Sequence, residues 1–270
     1  MQQLLRFANE QYNNMDGCGD ECDCQNCIRK PFYDSNGNEK YDCIKGLAYY
    51  VMDYGPCYAS STYHFFRFSH ILQRIGKKKI KILSIGCGFS PDYYALKKII
   101  QDDQLDIDID YIGIEQSERW NIFHNQWETP NKKIENIDVL SKLIPNFFDF
   151  DIIIMDKFFS TLSDPDGREK WINILRSYIQ KQMKSDAFLI FKDVNDQSRG
   201  RDLFDKRISP LFNSHEHYKT GGYGFEYIEI ENKENVFTVY PENLNVYPKS
   251  DLIKEVFFVY ENKKKGRCSS

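Results

Sequence analysis

Residues 79–92 read KIKILSIGCGFSPD, and this stretch decides the fold. A short apolar run, Ile82 to Ile85, stops at Gly86 with Gly88 two positions on, and Ser90 and Pro91 then suit a helix start, the serine as cap and the proline in the first turn. The pattern predicts a strand, a glycine turn and a helix. Upstream, Ser60 opens a helical pattern with Tyr63, Phe66, Ile71 and Ile75, which Gly76 ends. Downstream, LDIDIDYIGIE (105–115), KKIENID (132–138), FDFDIIIMD (148–156) and AFLIFKDV (187–194) read as strands. Between the last two, Trp171, Ile174, Leu175, Tyr178 and Ile179 share one helical face. Alternating strands and helices of these lengths predict an α/β fold with a mainly parallel sheet covered on both faces. The tail differs: GYGFEYIEIE, NVFTVY and EVFFVYE are strand-like with little helix between them, which predicts an antiparallel end to the sheet.

In an open parallel sheet, ligands bind beyond the carboxyl ends of the strands. Gly86 and Gly88 lie just past the first of these ends, where the missing Cβ allows a sharp turn and close approach to a ligand. An acid closes each strand that follows: Glu115 after YIGI, Asp138 after IENI and Asp156 after IIIM. A carboxylate at the second strand end is placed to accept both hydroxyls of a ribose. The nicotinamide fingerprint G-x-G-x-x-G needs a third glycine where this chain has Pro91, which disfavours that cofactor.

ILSIGCGFSPD resembles the first motif of the class I S-adenosylmethionine-dependent methyltransferases, and FDIIIMDKFFSTL resembles their fourth. The resemblance covers roughly residues 60 to 195. It implies a seven-stranded Rossmann-like methyltransferase sheet with antiparallel C-terminal strands over residues 58–262; the skewed cysteine distribution marks a Cys-rich module before it (1–57), and the run KKKGR a basic tail after it (263–270). It also implies a cofactor set of Ser84, Gly86, Cys87, Gly88, Glu115, Gln116, Asp138 and Asp156, with S-adenosylmethionine as the cofactor, Glu115 on the ribose and Asp138 near the adenine. Many members carry an acid where this chain has Ser84, and FSPD replaces the commoner glycine-rich continuation. The fourth strand is followed by Lys157-Phe158-Phe159, not the Pro-Pro-Tyr of DNA amino-methyltransferases, and no Pro-Cys pair for pyrimidine C5 chemistry stands nearby.

Methyl transfer requires a positioned, desolvated nucleophile more than a fixed catalytic residue. Asp193, after AFLIFK, is the candidate general base, with Asp196 and Arg199 in the loop beyond it. Lys157, Phe158 and Phe159 are candidates for the acceptor wall, and Tyr58 and Tyr63 for a cover over the cofactor. The histidines at 64, 70, 215 and 217 fit solvated or packing roles better. The acceptor stays open among a small molecule, RNA and a protein side chain, with the first two favoured. A non-catalytic protein that binds or senses the cofactor is the competing reading.

Of the eight cysteines, Cys18, Cys22, Cys24, Cys27, Cys43 and Cys57 lie in the first quarter of the 270 residues. Cys18, Cys22, Cys24 and Cys27 suit a structural zinc site, with Cys43 and Cys57 as alternative ligands; an iron–sulfur cluster and free thiols are the other readings. A turn at Asn36-Gly37 predicts a hairpin between Cys27 and Cys43. The first residues lack a signal-peptide pattern and no apolar run approaches the length of a spanning helix, so the expectation is a cytoplasmic protein with no membrane partner. With 41% apolar residues the chain can bury a large core, and a formal net charge of -4 offers no global attraction to a polyanion. Nothing in the residues sets an oligomeric state.

Overall fold

Side chains of the central strands alternate between two cores, one on each face of the sheet. In β1 (Lys79–Ile85), Leu83 and Ile85 face one core while Ile80 and Ile82 face the other. The same split holds in β4 (Ile152–Asp156), β5 (Phe188–Val194) and β8 (Glu255–Glu261), where nearly every residue is buried. This explains why these segments read as unbroken apolar runs: a strand covered on both faces has no polar side to show.

The computed structural model describes residues 1–15, 22–28, 43–124, 129–141, 144, 147–162, 165–231, 234–250 and 253–263. Among these the remaining strands are β2 (Asp108–Glu115), β3 (Lys132–Asn136), β6 (Ser214–Lys219) and β7 (Ile228–Glu229). They form one eight-stranded sheet in the order β3-β2-β1-β4-β5-β8-β6-β7. Strands β1 to β5 pair in parallel, while β8 runs antiparallel to both β5 and β6. Chain direction across the sheet switches at β1, which pairs with β2 on one side and β4 on the other, so the crevice for a ligand opens above these strand ends.

The helices are α1 (Gln2–Asn14), α2 (Cys24–Cys27), α3 (Ile44–Ser69), α4 (Ile71–Ile75), α5 (Pro91–Asp102), α6 (Asn121–His124), α7 (Pro165–Gln182) and α8 (Arg201–Ile208). α7 and α8 cover one face of the sheet, and α5 with the second half of α3 covers the other. A third cluster gathers Leu4, Leu5 and Ala8 of α1, Ile28, and Leu47, Val51 and Tyr58 of α3 against Phe89 and Trp120. This is a cap, and it sits on the rim where β1 and β2 end.

Four expectations need correction. Among the described residues the sheet has eight strands where seven were expected; β7 falls within the predicted GYGFEYIEIE, whereas β6 was not predicted. Among the described strands only β8 is antiparallel. NVFTVY forms no strand, because its neighbourhood bonds to α3 instead: Val236 N–H donates to Ser60 Oγ (3.0 Å) and the His64 ring meets the Glu234 carbonyl (2.6 Å). The strand beside β8 is SHEHYK, whose polar residues hide the pattern. Third, the lead-in helix starts at Ile44 and passes through Pro56, so residues 57 and 58, the expected boundary, lie within one continuous helix. Last, Ser90 takes a left-handed backbone (φ 64°) and does not cap α5, although Pro91 does open it. The expected hairpin between Cys27 and Cys43, and the tail from residue 264, lie outside the described residues.

α3 is locked to the sheet by Phe65, whose ring stacks on Phe257 of β8 at 4.3 Å and 6°. Both rings are fully buried. Phe257→Ala should therefore cost about 3–5 kcal/mol, read as a lowered midpoint in urea unfolding with unchanged slope.

Candidate functional site

The turn after β1 depends on two left-handed glycines, Gly86 (φ 69°) and Gly88 (φ 49°). The amides of Gly86 and Cys87 both donate to the Ile114 carbonyl, at 2.8 and 3.1 Å. A Cβ on Gly86 would stand 2.7 Å from Cβ of Phe158, whereas one on Gly88 would meet nothing within 4 Å. The first glycine is required for packing as well as for φ, and the second leaves its side open. Glu115, at the end of β2, braces this turn: Gly88 N–H donates to Oε2 (2.9 Å) and Ser117 N–H to Oε1 (3.0 Å). A carboxylate held by two amides is fixed in orientation before any ligand arrives.

A cavity of about 440 Å³ opens above this turn, within the range of small-ligand sites. Of the predicted residues, Gly86, Cys87, Gly88, Glu115, Gln116 and Asp156 line it. Ser84, Asp138 and Asp193 do not. Ser84 is buried within the sheet beside Asp92, a carboxyl that also accepts from the Tyr111 hydroxyl (2.9 Å). Burial pushes the Asp92 carboxyl above its usual range, with the Ser84 and Tyr111 hydroxyls opposing. Asp138 turns its carboxylate back on the Leu140 amide (2.9 Å), and its neighbours Ile137 and Val139 line the cavity instead. Asp193 is buried and accepts from the Ser160 amide (2.8 Å) and its own neighbour Val194 (2.7 Å). It holds the loop after β4 and does not reach the cavity, so its candidacy as a base is set aside. The thiol of Cys87, also buried, is pushed well above its usual range by burial, which leaves it protonated and inert.

The cap supplies the aromatic wall. Tyr50, Tyr54 and Tyr58 recur every four residues on α3 and so share one face, which lies over the cavity with Ile28, Phe89 and Trp120. Tyr54 stacks on Tyr58 (5.3 Å, 22°), and Tyr50 meets Tyr58, Phe89 and Trp120 edge-on. Only Tyr58 was expected here. The four-residue recurrence was visible in the sequence, but Gly55 and Pro56 broke the reading of a helix across it. Tyr63 points elsewhere and donates to Asp102 (2.8 Å). Of the two phenylalanines after Lys157, Phe158 lines the cavity while Phe159 packs in the core.

Beneath the tyrosines lies a cluster of four buried charges. Lys192 of β5 donates to Asp156 Oδ2 (3.0 Å) and to the Tyr58 carbonyl (3.1 Å), and stands 3.8 Å from Glu255 of β8. Lys157 pairs with Glu255, and its Nζ lies 3.3 Å from the centre of the Tyr58 ring. Lys157 itself has a left-handed backbone (φ 55°), a strained conformation for a non-glycine residue that is typical of functional sites. Burial pushes the Asp156 carboxyl up to about 6 against the pull of Lys192, while Asp92 and Glu255 add to the rise. Glu255 is held below its usual range despite burial, because Lys157 and Lys192 both face it. Asp156 Oδ1 is buried with no hydrogen-bond partner.

Among the described residues the cysteines form no metal-binding group. Cys18 lies outside the described residues; among those described, no group of three or more His, Cys, Asp or Glu side chains stands close enough to hold an ion. Cys22 and Cys24 approach to 3.7 Å, and burial with the neighbouring Cys22, Cys43 and Cys27 pushes the Cys24 thiol up to about 12. Cys43 caps α3 by accepting the Gly46 amide (3.2 Å), and Cys57 is buried beside Glu255 and Lys157. The histidines are packing or strand residues: His217 pairs with Asp205 (3.1 Å), and His70 is the left-handed residue between α3 and α4. Among the described residues, no helix is long and apolar enough to cross a membrane.

No protein-family model matches the chain, and no curated protein matches it. Solved structures resemble it in fold. The plantazolicin methyltransferase BpumL, in complex with a monoazolic desmethylPZN analog and S-adenosyl-L-homocysteine (SAH), is 14% identical over 97% of this chain and 99% of its own, with a TM-score of 0.50. The N-methyltransferase NodS from Bradyrhizobium japonicum WM9, also with SAH, is 12% identical over 75% of this chain and 88% of its own, at 0.46. A TehB-like SAM-dependent methyltransferase from Corynebacterium glutamicum is 16% identical over 72% and 86%, at 0.44. At 14% identity the likeness to BpumL is one of fold alone.

Asp193 gives a test of the local structure. Asp193→Ala leaves the Ser160 and Val194 amides without their acceptor, at a cost of about 1–3 kcal/mol. Amide exchange at Ser160 should quicken more than exchange in β5, and unchanged protection there would remove the bracing role.

Proposed function

We propose that this protein is an S-adenosylmethionine-dependent methyltransferase acting on a small molecule. The observation that carries the reading is a single cavity lined by the braced glycine turn and Glu115, by Asp156 and Lys157 at the end of β4, and by the tyrosines of the cap.

The residues present fit the cofactor. Gly88 leaves its side of the turn open, Glu115 presents a carboxylate oriented by two amides, and Ile137 and Val139 offer apolar surface beyond the ends of β2 and β3. Gly86, Gly88 and Gln116 would flank the amino-acid and ribose portions, with Glu115 receiving the ribose hydroxyls. When bound, S-adenosylmethionine supplies an electrophilic methyl group on a sulfonium sulfur. The chain's part is to position the acceptor and keep water away from it, and Tyr50, Tyr54, Tyr58 and Phe158 form a wall suited to both tasks. Enclosure by the cap favours a small acceptor over RNA, whose strand would need an open groove.

Titration calorimetry with S-adenosylmethionine and with S-adenosylhomocysteine tests the reading. Both should bind; if neither does, the proposal fails. Glu115→Ala removes a charged acceptor from the ribose, a loss of about 1.5–3 kcal/mol or roughly 10- to 100-fold in affinity. Gly86→Val should abolish binding, because its side chain collides with Phe158. Circular dichroism on both variants separates lost binding from lost folding.

A further inference from the structure

The cavity straddles the point where chain direction switches across the sheet. Glu115 and Ile137 lie at the ends of β2 and β3 on one side of β1, while Phe158, Leu162, Val194 and Arg199 lie at or beyond the ends of β4 and β5 on the other. The residues that fit the cofactor belong to the first side, which leaves the second for the acceptor. Most of the charge on that second side is closed off. Lys157 Nζ and Asp156 Oδ1 are buried atoms, and Lys192 holds Asp156 Oδ2 at 3.0 Å.

Arg199 differs from these groups. Of its side-chain surface 53% is accessible, so the arginine is within reach of a ligand in the cavity that it lines. Among the described residues its guanidinium donates no hydrogen bond, and its ion-pair partner Asp196 stands at 3.8 Å, beyond hydrogen-bond range. Asp196 is engaged elsewhere: the Ser198 amide and hydroxyl both donate to its Oδ1, at 2.9 and 2.7 Å. Those bonds also fix the short turn Gln197–Arg199, which Gly200 ends with φ 90°. A Cβ on Gly200 would stand 2.9 Å from the Phe159 ring and 3.2 Å from Arg168 Nη1, and Arg168 donates to the Leu162 carbonyl (2.6 Å). The turn that carries Arg199 is thus packed against the loop that carries Leu162, which sets the arginine's place relative to the apolar lining.

We propose that the acceptor is a small organic acid, bound through its carboxylate to the Arg199 guanidinium with its apolar body against Phe158, Leu162 and Val194. The inference rests on the methyltransferase reading above and names its substrate class. A planar guanidinium with its donors free matches a carboxylate through two parallel hydrogen bonds. One accessible cation balances one negative charge. An ammonium-bearing acceptor would meet Arg199 as a like charge, and the carboxylate of Asp156 is not open to it. Arg199 selects and orients the acceptor and takes no part in moving the methyl group. Because the arginine is half-exposed, water and salt screen the pair, and the expected preference for acid over amide is about tenfold.

The test is titration calorimetry on the full-length protein saturated with S-adenosylhomocysteine. The probes are phenylacetate and hexanoate, their neutral amides, and phenethylamine. At least one acid should bind about tenfold more tightly than its amide, and phenethylamine should bind no better than the amides. Arg199→Gln should remove the preference while leaving the affinities for the amides and for S-adenosylhomocysteine within about twofold; Arg199→Lys should restore part of it, and 0.5 M sodium chloride should shrink it. A merely solvated arginine would give acid and amide equal affinity, and that result overturns the proposal. So does tighter binding of phenethylamine, a preference that survives Arg199→Gln, or no binding of either acid. Failure to bind S-adenosylhomocysteine at all would instead sink the methyltransferase reading itself.

Discussion

Lys192 joins four parts of the molecule through one ammonium group. Its Nζ reaches the Tyr58 carbonyl on α3, the Asp156 carboxylate on β4 and, at longer range, Glu255 on β8, while its own backbone belongs to β5. The side chain is almost wholly buried. Burying an ion costs several kcal/mol, and only close partners recover that cost. Without the ammonium, Asp156 and Glu255 would face each other as two desolvated carboxylates, each raising the other's pKa. The arrangement around the cavity therefore depends on this one cation: it sets the orientation of Asp156, makes Glu255 available to Lys157, and fixes the cap helix over both.

That dependence separates two kinds of acid at the strand ends. Glu115 and Asp156 each have one or both oxygens fixed by protein donors and still border the cavity. Asp138 and Asp193 are satisfied by nearby amides and turn away from it. All four look alike in the sequence, an acid after an apolar run, because the pattern records where a strand ends and not which way the final side chain points. Direction is set by the pleat and by the next turn: Asp193 is drawn to the Ser160 amide by the loop after β4, a contact between residues 33 positions apart.

The legible part of the fold was the part with local causes. Strands buried on both faces declare themselves through composition, and the glycine turn through the need for positive φ at Gly86 and Gly88. β6 was hidden because its polar residues carry no alternation that sequence alone can reveal, and its place is set by pairing with β8 along its whole length. α3 was cut short by Gly55 and Pro56, which by propensity end a helix. It continues because residues on either side are anchored independently, Leu47 and Val51 in the cap cluster and Phe65 and Phe66 against the sheet. Tertiary burial outweighs one missing backbone hydrogen bond. The aromatic face of the cavity was lost with that helix, since Tyr50, Tyr54 and Tyr58 line up only if the helix runs unbroken.

An unbroken α3 also has a mechanical meaning. Its cavity end is held by Lys157 on the face of Tyr58 and by Lys192 on the Tyr58 carbonyl, and two turns further on Phe65 stacks on Phe257. Glu255, the partner of Lys157, stands two residues before Phe257 on the same strand. α3 and β8 are thus clamped at two points along their contact, one ionic and one aromatic. A helix fixed in this way cannot lift as a lid without exposing buried charge and buried rings together. The tyrosine wall is accordingly a pre-formed surface, and the cost of organising it is met by folding and not by the ligand.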